Sequence, residues 1–144
     1  MTDRTESKIH VDAPASDVMS VVADVAAYPE WANGIKSAEV LEADTEGRPA
    51  QARFRVEAGP IRDTYVVGYV WHDDEVSWSL VSAEVFTALD GSYTFAPAAG
   101  GTEVSYRLTV DLSMPMIGLL KRKAERAVVD TALKDLKRRV EGER

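Results

Sequence analysis

Apolar and polar residues alternate along the middle of the chain, from about residue 35 to residue 112. Near the end of this region Val104, Tyr106 and Leu108 alternate with polar residues, which is the period-two pattern of a strand with one covered face. The pattern predicts six consecutive strands, over residues 36–43, 51–58, 61–72, 76–81, 85–96 and 102–112. Short turns rich in glycine, proline and aspartate separate them, so we expect an antiparallel meander.

The N-terminal part combines one strand with two helices. Residues 8–12 alternate as a strand, and Pro14 then suits the first turn of a helix. Apolar residues follow at helical spacing, at Val18, Val21, Val22 and Val25. Pro29 is expected to begin a short second helix that carries Trp31.

The C-terminal segment, from Pro115 to about Val140, predicts one long helix, because Leu, Ala, Lys, Arg and Glu dominate it. Apolar residues recur every four positions along it, at Leu120, Ala124, Val128, Ala132, Leu136 and Val140, and Ile117, Ala127, Val129 and Leu133 broaden this row. Because an α-helix completes a turn about every 3.6 residues, this row winds slowly round the helix. We expect the row to face the sheet. The pattern leaves open whether the same face also lines a ligand cavity.

The order of elements is therefore one strand, two helices, six strands and one long helix. Only the last helix is long enough to cover the apolar side of the strands. The sequence predicts an α+β fold in which a seven-stranded curved antiparallel sheet wraps around the C-terminal helix, with two short helices between strands 1 and 2. At 144 residues without repeats, the chain is expected to form a single domain over residues 1–144.

Composition excludes several kinds of chemistry. The chain has no cysteine, which excludes disulfides, thiol nucleophiles and cysteine-bound metals. Its two histidines, His10 and His72, lie in no metal-binding spacing and fall on the predicted outer face, and no phosphate-binding glycine motif or Ser-His-Asp set is evident. We therefore expect no metal and no cofactor. No apolar run approaches the ~18 residues of a membrane span, so a cytoplasmic location is predicted.

Charge is distributed unevenly. Residues 1–120 carry 8 Lys and Arg against 19 Asp and Glu, whereas residues 121–144 carry 9 against 5. The acidic body argues against nucleic-acid binding. The basic C-terminal helix suggests peripheral contact with a membrane or with an acidic carrier protein, although such a run is often the solvated back of a helix. The sequence does not indicate an oligomeric state.

Local motifs add a resemblance that covers nearly the whole chain. In order, they are Asp12-Ala13-Pro14, Tyr28-Pro29-Glu30-Trp31, Asp90-Gly91-Ser92-Tyr93 with Pro97, Gly101-Thr102-Glu103-Val104, and the long final helix. With these the chain resembles the START-like helix-grip (SRPBCC) superfamily, and within it the polyketide cyclase/dehydrase and coenzyme Q-binding branch. The resemblance implies a cavity for a hydrophobic ligand between helix and sheet. It implies no single reaction, because the superfamily includes lipid carriers, receptors and cyclases.

The cavity wall follows if the apolar member of each strand pair points inward. For the strand over residues 61–72 we choose the face of Asp63, Tyr65 and Tyr69, because the other face would bury Arg62 and His72. The predicted ligand-binding residues are Trp31, Phe54, Asp63, Tyr65, Tyr69, Trp78, Tyr93, Tyr106, Leu120, Ala124 and Val128.

Three functions are compatible with this wall. The first is binding or transfer of a hydrophobic small molecule such as a lipid, a quinone or a polyketide-like compound. The second is a polyketide aromatase/cyclase acting on a poly-β-ketone, for which Asp63 and a tyrosine could supply acid–base chemistry, although no catalytic residue is assigned. The third is an interaction protein whose large rings fill the interior as ordinary core.

Overall fold

Alternating strands and a few helices make up the computed structural model, which describes residues 5–58, 61–113 and 118–142. The strands are β1 Thr5–Val11, β2 Ile35–Ala43, β3 Pro49–Ala58, β4 Ile61–Trp71, β5 Glu75–Ser82, β6 Phe86–Ala98 and β7 Gly101–Leu112. The helices are α1 Ala15–Ala23, α2 Tyr28–Trp31 and α3 Gly118–Gly142, with a 3-10 turn at Val25–Ala27. Every predicted strand and helix is present, and strand limits differ from the predicted ones by at most three residues.

All strands belong to one antiparallel sheet in the order β1-β7-β6-β5-β4-β3-β2. The six strands from β2 to β7 form the predicted meander, and β1 pairs with β7, so that Thr5 lies opposite Leu108 and Val11 opposite Thr102. Short connections favour this arrangement, because sequential antiparallel strands join through tight turns. The predicted helix-grip architecture, in the α+β class, is confirmed.

The first two helices close one end of the sheet. Pro14 occupies the N-cap of α1, whose Val18, Val21 and Val22 are buried. The Thr102 hydroxyl donates to the carbonyl oxygen of Ala13 at 2.7 Å, which fixes the junction between β1 and α1 to β7. Proline lies in the first turn of α2, as its fixed φ angle favours.

Helix α3 lies over β1 and β7. Lys137 Nζ donates to the carbonyl oxygen of His10 at 2.7 Å, and Glu141 Oε2 accepts from the backbone N–H of Asp12 at 2.9 Å. The backbone of Asp12 holds the pKa of Glu141 below its usual range, with Lys137 adding to the effect. These contacts hold the C-terminal part of α3 against the outer edge of the sheet.

The apolar face of α3 matches the predicted one only in part. Its buried apolar residues, Val129, Leu133, Leu136 and Val140, all belong to the predicted face, whereas Val128 is 44% exposed and Ala127 is also exposed. The prediction that Val128 faces the interior was therefore wrong. Each four-residue step overshoots a helical turn by about 40°, so the predicted row leaves the covered face, while spacings of four, three and four keep residues 129 to 140 on it. The predicted start at Pro115 lies outside the described residues.

The prediction that Asp63, Tyr65 and Tyr69 of β4 point inward is confirmed. Asp63 and Val67 are buried, Tyr65 and Tyr69 pack against the core, and the opposite-facing Val70 is 55% exposed. His10 and His72 are exposed, as predicted. The alternation succeeds here because one face of the sheet meets solvent. Within the described residues, no helix is long and apolar enough to cross a membrane.

Candidate ligand-binding site

The inner face of the sheet carries two groups of aromatic rings. Towards β2 and α2, Tyr28 lies 5.0 Å from Trp31 and 5.7 Å from Phe54, between ring centroids. Phe54 continues to Tyr65 at 5.5 Å, and Tyr65 lies edge-on to Phe86 at 5.5 Å. The structure thus brings the predicted residues Trp31, Phe54 and Tyr65 into one row.

The second group lies towards β7. The ring of Trp78 lies 6.2 Å from Tyr69, 5.4 Å from Tyr93 and 5.8 Å from Tyr106, and Tyr93 meets Tyr106 edge-on at 4.7 Å. Edge-to-face and offset pairs of this kind are favourable beyond their buried area. The predicted set Tyr69, Trp78, Tyr93 and Tyr106 is therefore one packed cluster.

Gly91 makes room for the indole of Trp78. A Cβ atom built on Gly91 would lie 2.4 Å from Cζ2 of Trp78, far inside van der Waals contact. The ring therefore lies directly against the backbone of β6. This close approach explains why a glycine occupies the interior of a strand.

Several inward side chains keep accessible surface. Tyr65, Tyr69 and Trp78 are only half-buried although they point to the concave side, and so are Trp71 and Leu80. Helix α3 covers β1 and β7, which lie at the opposite end of the strand order from β2 and β3. The rings of β4 and β5 therefore keep accessible surface on the inner face of the sheet, and we call the space in front of them the hollow.

The tyrosine hydroxyls are the main polar atoms of this wall. Among the described residues, no hydrogen bond joins the hydroxyl of Tyr65, Tyr69, Tyr93 or Tyr106 to another protein group, and none of these oxygens is fully enclosed. The fifth tyrosine differs, because the Tyr28 hydroxyl donates to the carbonyl oxygen of Val22. Buried hydroxyls normally find a partner, so four that face the hollow are available to water or a ligand.

Burial makes these hydroxyls still harder to ionise than free tyrosine. It raises the pKa of Tyr65, Tyr69, Tyr93 and Tyr106 above the usual value of 10.0, because the phenolate would lose its hydration. Neighbouring tyrosines raise the pKa of Tyr69 and Tyr93 further. At neutral pH each group is a neutral phenol that can donate a hydrogen bond to a ligand oxygen.

Asp63 has a structural role that the sequence did not reveal. Its Oδ1 accepts from the backbone N–H of Glu84 at 3.1 Å, and its Oδ2 accepts from Val85 at 3.0 Å and Phe86 at 2.9 Å. Asp63 as a whole is 6% exposed. Three backbone donors hold it in place, so it fixes the turn between β5 and β6 to β4.

The three predicted ligand-binding residues on α3 differ in their exposure. Ala124 is half-buried, Val128 is exposed and the side chain of Leu120 lies outside the described residues. Exposure removes Val128 from the wall of the hollow. For the other predicted residues, contact with a ligand stays a prediction.

Two acidic residues of α3 face inward and escaped the sequence analysis. Glu125 is 3% exposed, and its Oε2 accepts from the backbone N–H of Val110 at 3.1 Å. Val110 lies on β7 past Leu108, which is the partner of the first described residue of β1. Asp135 is 7% exposed, accepts from the N–H of Asn33 at 2.9 Å and adds to the raised pKa of Tyr93. In a helix this rich in charge, the sequence carried no signal that separates them from surface carboxylates.

Rings were missed as well. Tyr28 and Phe86 extend the first aromatic row, yet neither was among the predicted ligand-binding residues. Tyr28 belongs to the motif Tyr28-Pro29-Glu30-Trp31, which was the available signal. No group of three or more potential metal ligands occurs in the part of the chain that the structure describes.

A separate cleft lies outside the sheet, beside α1. Its volume is about 360 Å³, and its lining comprises Asp17, Ser20, Val21, Asp24, Ala27, Trp31, Arg139 and Val140. Trp31 thus borders this cleft as well as the first aromatic row. The Arg139 guanidinium in the lining pairs with Glu30 at 3.3 Å. The cleft contains none of the four available tyrosine hydroxyls, so we place the candidate site on the inner face of the sheet.

A curved antiparallel sheet, a long C-terminal helix and a ring-lined inner face define the START-like helix-grip class. The profile of the family described as polyketide cyclase/dehydrase and lipid transport matches residues 11–137, and the chain belongs to this family. The predicted resemblance is confirmed at this level. No protein with a curated description matches the sequence significantly.

Solved structures share the fold at low sequence identity. A START superfamily protein from Mycobacterium smegmatis is 24% identical with a TM-score of 0.91, covering 98% of this chain and 99% of that one. The Zhui aromatase/cyclase from Streptomyces sp. R1128 is 16% identical with a TM-score of 0.80, covering 98% and 94%. A STAR-related lipid transfer protein from Xanthomonas axonopodis is 19% identical with a TM-score of 0.77, covering 96% and 85%. These likenesses concern the fold.

Proposed function

We propose that this protein binds or transfers a hydrophobic small molecule in the hollow between the sheet and α3. The observation that carries the proposal is the combination of half-buried aromatic rings with four inward hydroxyls that make no hydrogen bond to described protein groups. Mostly apolar pockets with a few placed polar groups are typical of small-molecule sites. Family membership supports the same coarse function.

The chemistry of the wall favours a planar, oxygenated ligand. Aromatic rings stack on planar molecules, and neutral phenols donate hydrogen bonds to carbonyl or quinone oxygens. Polyketide-like compounds and quinones, including coenzyme Q, have both features. A simple acyl lipid would use the rings but few of the hydroxyls.

A matched pair of ligands tests this preference. We expect 1,8-dihydroxyanthraquinone to bind more tightly than anthracene, which has the same ring skeleton without oxygen. Tyr93→Phe and Tyr106→Phe should each weaken binding of the anthraquinone by about fivefold, the loss of one net hydrogen bond, and leave anthracene unchanged. Isothermal titration measures both. Equal loss for both ligands would mean that the hydroxyls only pack.

The second candidate is a polyketide aromatase/cyclase. It is favoured by the family and by phenols that stay protonated and could stabilise a developing enolate. The three backbone donors on Asp63 weigh against that residue as a base, because they occupy most of the lone-pair positions of its carboxylate. Incubation with a poly-β-ketone decides the matter, since only an enzyme changes the product distribution. An interaction protein with a filled core would bind neither ligand class.

Other predictions remain proposals. The exposed basic face of α3 includes Arg122, Lys123, Arg126, Lys134 and Arg138, which supports contact with an anionic membrane or an acidic carrier protein. Co-sedimentation with phosphatidylserine vesicles, compared with neutral vesicles, tests the membrane arm. The cytoplasmic location and the absence of nucleic-acid binding stay predictions from the sequence.

A further inference from the structure

The hairpin of β5 and β6 is paired over only part of its length. The ladder joins Glu75–Trp78 of β5 to Gly91–Thr94 of β6 and ends at the pair of Trp78 and Gly91. β5 nevertheless continues to Ser82, and β6 begins at Phe86. Four residues of β5, 79–82, and five of β6, 86–90, therefore lie outside this ladder, and we call this unpaired stretch of the hairpin the split.

A β-bulge on each strand accounts for the split. In the ladder of β4 with β5, Val66 pairs with Ser82 and Val67 with Leu80, which leaves Val81 as an extra residue. In the ladder of β6 with β7, Phe86 pairs with Leu112 and Ala88 with Asp111, which leaves Thr87 as an extra residue. Bulges bend a strand and increase its local twist. Two bulges at the same level, on the outer sides of the hairpin, bend both strands where the ladder between them ends.

The split is bounded at both ends. At one end the indole of Trp78 lies against Gly91, at the last ladder pair. At the other end the Asp63 carboxylate holds the backbone of residues 84–86 to β4. The strands therefore remain fixed at the ends, and the opening between them has a defined frame.

Apolar side chains lie on both faces of the split, beside the exposed polar residues Ser79, Ser82, Thr87 and Asp90. On the inner side Leu80 is half-buried and Leu89 is 8% exposed, and both pack against the core. On the outer side Val81 is 54% exposed, and Val70 of the neighbouring strand is 55% exposed. A hydrophobic molecule would thus meet apolar side chains on the outer face and on the inner face of the sheet.

We propose that this split is the route by which the hydrophobic ligand enters and leaves the hollow, with Leu80 and Leu89 as the side chains that move aside. The inference rests on the proposed ligand-binding function. Passage here breaks none of the ladder pairs between β5 and β6, because residues 79–82 and 86–90 are not part of that ladder. Rotamer changes of two leucines are fast, whereas opening a paired sheet requires many hydrogen bonds to break together.

A disulfide across the split tests the route. If the register continued past Trp78 and Gly91, the exposed residues Ser79 and Asp90 would face each other. The chain has no cysteine, so S79C/D90C introduces the only pair. Oxidation should slow both association and release of 1-anilinonaphthalene-8-sulfonate by about tenfold and leave Kd within about twofold, because closing a route raises the barrier without changing the end states. A reducing agent should restore both rates.

The control is S77C/S92C, which joins residues that are already ladder partners. Its rates should equal those of the parent in both redox states. Parent-like rates in oxidised S79C/D90C would overturn the proposed route while leaving the ligand site intact. Absence of saturable binding in the parent would overturn both proposals.

If the pair does not oxidise, Ser79→Cys carrying a bulky maleimide should give the same slowing of association and release. Equally labelled Ser77→Cys is the control, and unchanged rates in labelled Ser79→Cys would again exclude the route.

Discussion

Gly91 and Trp78 show how a single residue shapes the inner face. The indole occupies the position that a Cβ atom on Gly91 would need, and it then contacts Tyr69, Tyr93 and Tyr106. A side chain at this position must therefore displace the ring that holds the second aromatic cluster together.

Gly91→Ala should destabilise the fold by about 1–3 kcal/mol, the usual cost of overpacking, and should alter the fluorescence of Trp78. Gly68→Ala is the matched control, since a Cβ atom there would meet nothing closer than 3.6 Å. Its free energy of unfolding should stay within about 0.5 kcal/mol of the parent. Urea unfolding measures both, and equal effects would show that Trp78 yields easily.

Asp63 illustrates a buried carboxylate that serves the backbone. Asp63→Ala leaves three N–H donors without their acceptor and should cost about 2–3 kcal/mol. Asp63→Asn keeps the shape and one acceptor oxygen, so its cost should be roughly half of that. Thermal unfolding of the two variants decides. A larger loss for Asn than for Ala would contradict the assigned role.

At the scale of elements, the strands were easier to predict than the last helix. A strand on a one-sided sheet has two faces, and polarity chooses between them. In α3 the choice is among many directions, and small alanines on both sides of the apolar face blur it. The row from Leu120 to Val140 was plausible by composition but follows the wrong period, which is why Val128 was misplaced.

Two adjacent valines test the observed orientation of α3. Val129 is fully buried and Val128 is 44% exposed. Val129→Ala should lower the free energy of unfolding by about 2 kcal/mol, whereas Val128→Ala should change it by less than about 0.5 kcal/mol. Chemical denaturation of the two variants makes the comparison. The reverse order of effects would contradict the observed orientation of α3.

At the scale of the whole molecule, the sequence predicted the architecture and the identity of most inward rings. It did not predict the space between them, because alternation gives the direction of a side chain and not its distance from the opposite wall. Tyr65 and Tyr69 remain half-buried while Tyr93 and Tyr106 are buried, although all four follow the same pattern. The bulges at Val81 and Thr87 were equally hidden, since a bulge leaves no mark in a short alternating strand.

All five tyrosines are expected to make the stability of the fold depend on pH. Burial raises the pKa of every one of them above 10.0, with neighbouring groups adding to the effect in four. A group whose folded pKa is raised contributes stability that is complete below the unfolded pKa and is lost as pH rises through the folded pKa. Stability should therefore fall above about pH 10.

Spectrophotometric titration of the tyrosines tests this pH dependence. In the native protein, tyrosinate absorbance should remain low near pH 10 and then appear together with loss of the circular dichroism of the fold. In denaturant the five groups should titrate gradually around pH 10, their usual value. Gradual ionisation of the folded protein near pH 10 would show that water reaches the hydroxyls freely.

Native mass spectrometry with 1,8-dihydroxyanthraquinone tests most directly whether the hollow holds a ligand. The account predicts one bound molecule per chain in the parent and in Val128→Trp, whose side chain lies at the surface, and none in folded Ala132→Trp, where an indole would enter the half-buried side of α3 that packs on the core. No bound molecule in the parent, or equal binding in all three proteins, would contradict it.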